Sequence, residues 1–418
     1  MIDIKFIREN PEKVKEGCKK KNADCDVDKV LELDEKRREL LQKIEGLRAE
    51  QNKLGKADIE KAKELKLQIK ELEPQIEEVE GGLKSLLTQF PNLPLDDVSV
   101  GDESKNVVLR QWGKIPKFGL PRSKAGFEPK DHLELGEALD IIDVKRAAKV
   151  SGARFGYLKG DAVLLEFALV DLVMKTATKK GFIPIVPPVF VRSETMQGMG
   201  YVDTPEDLAE RYFFEKEGLF LVGTAEQAVG PMHADEIFEE RELPKRYVAF
   251  STCFREEAGS YGKDTRGILR VHQFDKVELF SFVRPEDSKK EHEFLIKLEE
   301  KLWQALKIPY QVVHLATGDM SRPSASTYDI EAWMPGQNKY REVSSASNVT
   351  DFQARRLNIR YKNRERKTEF VHMLNATGFP IGRTIIAILE NYQQKDGSVK
   401  IPKALQKYVG KTEIKREI

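Results

Sequence analysis

The spacing of apolar residues in the first quarter of the chain predicts two long helices. The spacing alternates between three and four residues, which is typical of coiled-coil seams. The first seam is Val30, Leu33, Arg37, Leu40, Ile44, Leu47, Gln51 and Leu54, and the second is Leu65, Ile69, Leu72, Ile76, Val79, Leu83 and Leu86. Gly55 separates the two seams, so the pattern predicts an antiparallel helical hairpin at about residues 27–88. At 1.5 Å per residue, helices of about 30 residues would make an arm roughly 45 Å long.

Local signals predict how these helices begin and where one is disturbed. Asn10, Pro11 and Glu12 are typical of a helix start, as N-cap, first helical residue and first-turn acid. Asp58 is placed to cap the second long helix. Pro74 lies inside that helix, where we expect it to kink the helix or break its hydrogen-bond ladder locally.

Two interpretations of the arm remain open from its residues. It is either a dimerisation or spacer coiled coil, or a rod that recognises the shape of a partner. Its charges are nearly balanced, and local clusters such as 36–38 and 61–66 are also typical of solvated helix faces.

A stretch rich in Pro, Asp and Ser follows Leu87 and predicts a domain boundary, which we place between residues 104 and 105. Beyond it, Ala138 to Val150 and Ala162 to Lys180 are predicted helices. The segment Gly181 to Val191 is apolar but punctuated by prolines, so it predicts an edge strand. That strand is either a dimer contact or an internal edge of the sheet.

The segment from Ser251 to Phe280 predicts a hairpin that carries polar chemistry. Tyr247 to Arg255 and Ile268 to Phe280 alternate as strands do, and a turn rich in Gly, Ser, Lys and Asp separates them. Period two places Arg270, Phe274 and Glu278 on one face of the second strand. Cations, a ring and carboxylates suit a ligand with phosphates, a base and an ammonium group, although a solvated sheet face has the same pattern.

Three further segments contain polar residues that are candidates for a binding site, two at the ends of predicted strands and one at the start of a predicted helix. Thr224 and Glu226 follow an apolar strand, either as a helix cap or as pocket residues that could meet an ammonium group. Glu342, Ser344 and Ser345 offer oxygen ligands of the kind Mg²⁺ accepts. The segment Asn375 to Arg383 predicts a glycine-containing turn before a helix, with Arg383 where an anion would be stabilised.

Composition limits the classes of protein that the chain can belong to. Its 418 residues carry a formal net charge of only +1, so no basic excess indicates nucleic acid. The three cysteines, Cys18, Cys25 and Cys253, have neither zinc-site nor disulfide-framework spacing, which favours a reducing cytoplasm and no zinc. The start of the chain lacks an apolar signal core, and the most apolar long run contains two acidic residues, so we expect no membrane partner.

Three segments, in chain order, resemble the motifs of class II aminoacyl-tRNA synthetases in their seryl form. KKGFIPIVPPVFV is similar to motif 1, with Pro188 as the expected proline. CFREEAG with GKDTRGILRVHQFDKVE resembles motif 2, and GFPIGRTIIAILENYQ resembles motif 3. The resemblance to the seryl-tRNA synthetase family extends to the helical hairpin, FPNLP, RAAKVSGARF, VGTAEQ, YDIEAWMPGQ, REVSSASN and DFQARR, and so covers nearly the whole chain.

The resemblance implies a role for each matching residue. Arg255 and Arg383 would be catalytic, with Arg255 on the α-phosphate of ATP and on the serine carboxylate. Phe274 would stack on the adenine, with Arg383 on its other side or at the phosphates, and Arg270 would help to hold the phosphate tail. The implied ATP-binding set is Arg255, Glu256, Glu257, Arg270, Val271, Phe274, Glu342, Val343, Ser344, Ser345 and Arg383. L-serine would be held by Thr224, Ala225, Glu226, Glu278 and Thr377, and Mg²⁺ would reach Glu342 and Ser345 through ATP.

The resemblance also implies the architecture and the partners. It implies an α+β fold with an antiparallel catalytic sheet at residues 105–418 and a coiled-coil arm within residues 1–104. The arm would bind the serine tRNA, with selenocysteine tRNA as an alternative second acceptor, and the chain would form a homodimer. Three positions depart from the family pattern as we expect it: Ala346 in place of Cys, Ala376-Thr377 in place of Gly-Ser, and Ser326 in place of a basic residue.

Two other interpretations remain open. One is an enzyme that activates an amino acid but delivers it to a carrier protein, although the long arm argues against it. The other is a catalytically silent RNA-binding relative, for which losses at Arg255, Glu278 or Arg383 would be expected, yet all three residues are present.

Overall fold

The computed structural model describes residues 1–55, 58–118, 126–258 and 266–416. The chain divides into two compact units, Met1–Pro94 and Leu95–Ile418. No helix in the described ranges combines the length and the apolar character that crossing a bilayer requires.

The N-terminal unit is helical. Its helices are α1 Ile4–Glu9, α2 Pro11–Lys20, α3 Val27–Gln51 and α4 Ile59–Thr88. The long helices α3 and α4 pair antiparallel, as ion pairs show between Arg37 Nε and Glu80 Oε1 at 2.8 Å and between Lys61 Nζ and Glu50 Oε1 at 2.8 Å. At one end of the pair, apolar residues of α1 and α2 complete a small core with both helices and Phe90. The predicted helical hairpin is confirmed.

The ends of these helices differ in part from the predictions. Asn10 does not cap α2 with its side chain, because its Nδ2 donates to the Phe6 carbonyl at 3.3 Å. Asp58 accepts from the Gly55 amide at 3.0 Å instead of capping α4. Helix α3 ends at Gln51, so Leu54 lies beyond it.

Pro74 does not interrupt its helix. Helix α4 runs through it as one element from Ile59 to Thr88, although a proline cannot donate a hydrogen bond to the preceding turn. The apolar residues of α4 on either side of the proline, Leu65, Ile69, Val79 and Leu83, are buried. Their packing against α3 stabilises the helix despite the lost hydrogen bond.

The second unit combines a large sheet with helices and smaller sheets. Its helices are α5 His132–Ala138, α6 Val144–Ser151, α7 Asp161–Thr178, α8 Ser193–Met199, α9 Pro205–Ala209, α10 Glu226–Val229, α11 Ser288–Leu306, α12 Phe352–Leu357, α13 Ile381–Tyr392 and α14 Lys403–Val409. Its strands are β1 Val107–Trp112, β2 Ile142–Asp143, β3 Tyr157–Leu158, β4 Ile183–Ile185, β5 Phe190–Arg192, β6 Phe213–Phe214, β7 Leu219–Leu221, β8 Ile237–Glu239, β9 Lys245–Phe254, β10 Gln273–Val283, β11 Tyr310–His314, β12 Ser326–Met334, β13 Lys339–Asn348, β14 Arg360–Lys362, β15 Thr368–Phe370, β16 His372–Pro380, β17 Val399–Lys400 and β18 Glu413–Ile414.

Eight of these strands form the sheet that carries the site. Their order is β1-β11-β12-β13-β16-β10-β9-β4, and every neighbouring pair is antiparallel except β4 with β9. Apolar faces of α7, α11 and α13 join the central strands in one buried core, which includes Leu169, Trp303, Ile388 and Leu279. The predicted α+β fold with an antiparallel sheet is confirmed.

Several predicted elements have different bounds, for identifiable reasons. The predicted helix Ala138 to Val150 is replaced by the end of α5, strand β2 and α6, because Asp140 takes a left-handed φ of 55° and Asp143 caps α6. The predicted strand Gly181 to Val191 becomes β4 and β5, with prolines at 187 and 188 between them. Strand β4 does lie at a sheet edge, as predicted.

The predicted hairpin is present, but its second strand is shorter than expected. Strand β10 begins at Gln273, so Arg270 precedes it; the His272 amide donates instead to the Arg154 carbonyl at 3.1 Å. The predicted turn at 259–265 lies outside the described residues. Residues 375–380, predicted as a turn, belong to strand β16.

Candidate active site

Strands β9 and β10 place the central residues of the site. Cys253 pairs with Phe274, and Arg255 follows directly after β9. Because side chains alternate along a strand, Phe274, Lys276 and Glu278 share one face of β10. The guanidinium carbon of Arg255 lies 5.3 Å from the Phe274 ring centroid, which places a cation beside the aromatic face.

Two β-bulges align residues from neighbouring strands. In β13, Val343 is the extra residue opposite β12. Glu342 therefore pairs with Glu331, and Ser345 pairs with Asp329. As a result, Glu342 and Ser345 lie on the same face of the sheet. In β16, Gly378 is the extra residue, and Thr377 therefore pairs directly with Glu278. A Cβ at position 378 would lie 2.7 Å from Val173 Cγ1, so this bulge requires glycine.

A cleft of about 620 Å³, counting the open space at its mouth, lies among these strands and the start of α13. That volume is in the range of small-molecule sites. Its lining residues are Arg255, Glu257, Ile268, Leu269, Arg270, Val271, Phe274, Lys276, Glu342, Val343, Ser344, Ser345, Thr377, Pro380, Gly382 and Arg383. Four of them are cationic and two are acidic, so the cleft favours an anionic ligand.

The charged residues of the cleft hold one another in place. Arg270 Nη1 donates to Glu257 Oε2 at 3.2 Å. Arg383, in the first turn of α13, donates through Nη1 to the Glu342 carbonyl at 2.9 Å, and its charge lowers the pKa of the Glu342 carboxyl. About half of the Glu342 side chain is exposed, so its carboxylate is accessible at the mouth of the cleft.

A second, buried group of polar residues lies next to the cleft. The Thr224 hydroxyl donates to Glu278 Oε2 at 3.3 Å, and the Tyr201 hydroxyl donates to Glu226 Oε1. Burial raises the pKa of the Glu278 carboxyl to about 7, although the ammonium of Lys276, its ion-pair partner, opposes this. Burial likewise raises the pKa of Glu226.

The structure brings most of the sequence-predicted residues together. Ten of the eleven predicted ATP-binding residues line the cleft, as does Thr377. Glu256 does not; its amide donates to the Glu210 carbonyl at 3.3 Å. Thr224, Glu226 and Glu278 form the buried group, and Ala225 is fully buried beside them.

Sequence reasoning missed three residues of this region. Lys276 shares the parity of Phe274 and Glu278, which was a usable signal. Tyr201 and Arg211 had no such signal, because only the fold brings them to Glu226, with Arg211 5.5 Å from the Tyr201 ring centroid.

The oxygen atoms of Glu342 and Ser345 fit the preference of Mg²⁺ for hard ligands, and phosphate and water oxygens would have to complete its coordination. Within the described ranges, no three His, Cys, Asp or Glu side chains are grouped as ligands of one metal ion would be.

Comparison with known proteins identifies both units. Residues 1–94 match the seryl-tRNA synthetase N-terminal domain, and residues 212–392 match the tRNA synthetase class II core domain (G, H, P, S and T). The chain is 47% identical to a serine-tRNA ligase of Dictyoglomus turgidum and 45% identical to one of Thermodesulfovibrio yellowstonii. These alignments cover 99% and 98% of this chain and 99% of each relative.

Solved structures agree with these relatives. The seryl-tRNA synthetase of Pyrococcus horikoshii complexed with ATP superposes with a TM-score of 0.91 at 44% identity, over 100% of both chains. The cytoplasmic serine-tRNA ligase of Naegleria fowleri in complex with AMP superposes with a TM-score of 0.89 at 35% identity, over 100% of this chain and 99% of that chain. With similarity at this level along its whole length, the chain belongs to the seryl-tRNA synthetase family of class II aminoacyl-tRNA synthetases.

Proposed function

We infer that the chain is a serine-tRNA ligase. It activates L-serine with ATP, giving seryl-adenylate and pyrophosphate, and transfers serine to the terminal adenosine of the serine tRNA. This conclusion rests on the cationic cleft, in which residues of the segments that resemble motifs 2 and 3 meet, in a chain that is similar to a serine-tRNA ligase over 99% of its length.

Activation requires positioning and charge neutralisation. The serine carboxylate attacks the α-phosphorus while pyrophosphate leaves, and negative charge spreads over the phosphate oxygens. Arg255 lies between the Phe274 ring and the Gly223 carbonyl, to which its Nε donates at 3.2 Å, so its remaining donors are available for the α-phosphate and the serine carboxylate. Arg270 and Arg383 neutralise the phosphate tail, and Phe274 stacks on the adenine.

The remaining predicted contacts complete the nucleotide site. Glu257, Val271, Val343 and Ser344 contact ATP from the cleft walls, and Glu256 does so from beside it. Glu342 and Ser345 would hold Mg²⁺ together with the phosphates, and the metal would supply further charge neutralisation there.

Serine is recognised by the buried group. The Glu226 carboxylate meets the ammonium group, and Glu278 and Thr377, paired across two strands, meet the hydroxyl. Thr224 and Ala225 close the pocket. Alanine would leave these polar groups unpaired, a penalty on the order of 10⁴-fold, whereas threonine must be excluded by lack of space.

Transfer then proceeds from the adenylate. A ribose hydroxyl of the terminal adenosine attacks the seryl carbonyl, and AMP leaves. The adenylate phosphate takes the proton, because we assign no general base among the described side chains that line the cleft.

The proposed partners follow from the same assignment. Residues 1–104 form the tRNA-binding domain, whose coiled-coil arm recognises the long variable arm of the serine tRNA, and residues 105–418 form the catalytic domain. The protein acts in the cytoplasm as a homodimer, in which the arm of one subunit serves the active site of the other.

Amino-acid-dependent ATP-pyrophosphate exchange, measured with each of the twenty amino acids, tests the function. We expect exchange with serine and charging of the serine tRNA. Absence of serine-dependent exchange would refute the assignment, and exchange without tRNA charging would favour delivery to a carrier protein.

The site assignment has its own test. Arg255→Ala should lower the exchange rate about 10²–10³-fold, because a preorganised donor to the reacting phosphate is removed. Exposed Arg241 is the matched control, and Arg241→Ala should retain the wild-type rate.

A further inference from the structure

Lys276 connects the nucleotide cleft with the buried serine group. It lies on β10 between Phe274 and Glu278, and its side chain lines the cleft although only 10% of it is exposed. Its ammonium forms an ion pair with Glu278, whose side chain is 2% exposed. A lysine buried to this extent needs a charged partner, and this pair gives each group its counter-ion.

Apart from Lys276, the named groups that face Glu278 in the described part of the chain are two carboxyl groups and four uncharged side chains. The groups that face it come from five other parts of the fold: Thr224 and Glu226 at α10, Tyr201 after α8, Cys253 on β9, Glu299 on α11 and Thr377 on β16. The negative charge of Glu226 opposes ionisation of Glu278, and Glu299 is a second carboxyl group in the same region. Lys276 is the ion-pair partner that favours ionisation.

We propose that Lys276 is a positioning residue of the serine site, whose ammonium favours the carboxylate form of Glu278, which accepts a hydrogen bond from the serine hydroxyl. This inference rests on the proposed function. A carboxylate acceptor forms a hydrogen bond roughly twice as strong as a neutral one. Lys276 thus acts through Glu278 on the serine hydroxyl, and its charge also favours ionisation of the neighbouring Glu226.

Replacing the cation changes the pH at which Glu278 is charged. With Lys276 present, burial raises the pKa of Glu278 to about 7. Without the opposing ammonium, that pKa rises further, so a larger part of the protein carries a protonated Glu278 at neutral pH. Higher pH restores the carboxylate. A rise of one pKa unit would correspond to a roughly tenfold loss of serine affinity on the acidic side.

Serine-dependent exchange, measured from about pH 6.5 to 9, tests the proposal. Lys276→Met should raise the serine KM roughly fivefold at pH 7, approaching tenfold at lower pH, and the defect should shrink towards pH 9. Lys276→Arg retains the charge and should keep the wild-type pH profile. Lys289→Met is the control, because Lys289 forms an exposed ion pair with Asp97 at 3.5 Å; its serine KM should not change.

The outcomes separate the two levels of inference. If the unsubstituted protein lacks serine-dependent exchange, the proposed function fails. If it is active but Lys276→Met keeps the wild-type serine KM and pH profile, the role of Lys276 is refuted. If Lys276→Met does not fold, Lys276→Arg provides the test, because arginine keeps the positive charge. A folded Lys276→Arg variant with a shifted pH profile would refute the role of Lys276.

Discussion

At the scale of single residues, the chemistry of the site depends on burial as much as on residue type. Glu278 and Glu342 are both glutamates of the large sheet, yet burial raises the pKa of Glu278 while the charge of Arg383 lowers that of Glu342. Glu342 is therefore ionised near neutral pH and suited to Mg²⁺ with phosphates. Glu278 is close to its titration point and can respond to its neighbours.

This difference predicts that the serine KM increases as the pH falls below neutrality. Because the pKa of Glu278 is raised to about 7, its ionised form is present above that pH and is lost as the pH falls through it. The serine KM should rise about tenfold for each pH unit below the pKa. Glu278→Gln should have a high serine KM that does not change with pH in this range. If the serine KM of Glu278→Gln keeps the wild-type pH dependence, another group is responsible for it.

Strand parity in the sequence is sufficient to identify Phe274 and Glu278, because both lie on one face of a strand whose period is two. The assignment of Arg270 to that face is wrong, since β10 starts at Gln273. Tyr201 could not be predicted in this way, because it approaches Glu226 only through folding across 25 positions.

At the scale of elements, the bulge in β16 determines which residue faces Glu278. Gly378 occupies the extra position and packs against Val173 of α7 and the Val277 carbonyl. Sequence reasoning predicted glycine-dependent close approach here, but it predicted a turn rather than a strand. A pairing irregularity depends on the partner strand, so period alone does not reveal it.

Gly378→Ala should therefore affect both stability and serine recognition. The added methyl would lie 2.7 Å from Val173 Cγ1 and 3.1 Å from the Val277 carbonyl oxygen. We expect about 1–3 kcal/mol of destabilisation from overpacking and a higher serine KM, because Thr377 shifts relative to Glu278. Thermal unfolding and exchange kinetics measure these effects. Gly81→Ala, with nothing within 4 Å, is the control and should leave the serine KM unchanged. A normal KM in Gly378→Ala would show that the bulge tolerates a side chain.

The arm permits an element-scale separation of the two reactions. Excising residues 41–77 and joining the helices with a short glycine-rich turn retains buried Leu40 and Val79 and the small core formed with α1 and α2. Serine-dependent exchange should persist, because every described residue of the cleft and of the buried group next to it lies beyond position 200. Aminoacylation should fall about 100-fold or more as the tRNA contact is lost. If the shortened protein charges tRNA normally, the proposed role of the arm is wrong.

At the scale of the whole molecule, the two edges of the large sheet offer a test of the homodimer. At the β4 edge, Ile183 and Val186 are 51% and 78% exposed, and Phe167 of the adjoining helix α7 is 48% exposed. Apolar residues on an uncovered sheet edge are typical of an interface. At the opposite edge, Val108 of β1 is also 48% exposed, which makes it a matched control.

We expect the protein to have a solution mass twice the 47.8 kDa of one chain. The double variant Phe167→Glu with Ile183→Glu should shift it towards the monomer, because burying unpaired carboxylates in an interface costs several kcal/mol. Light scattering coupled to gel filtration at micromolar concentration measures the mass, and circular dichroism verifies folding. Val108→Glu should remain dimeric. A monomeric wild-type protein would refute the homodimer. If Val108→Glu dissociates the dimer and the double variant does not, the interface lies at the β1 edge.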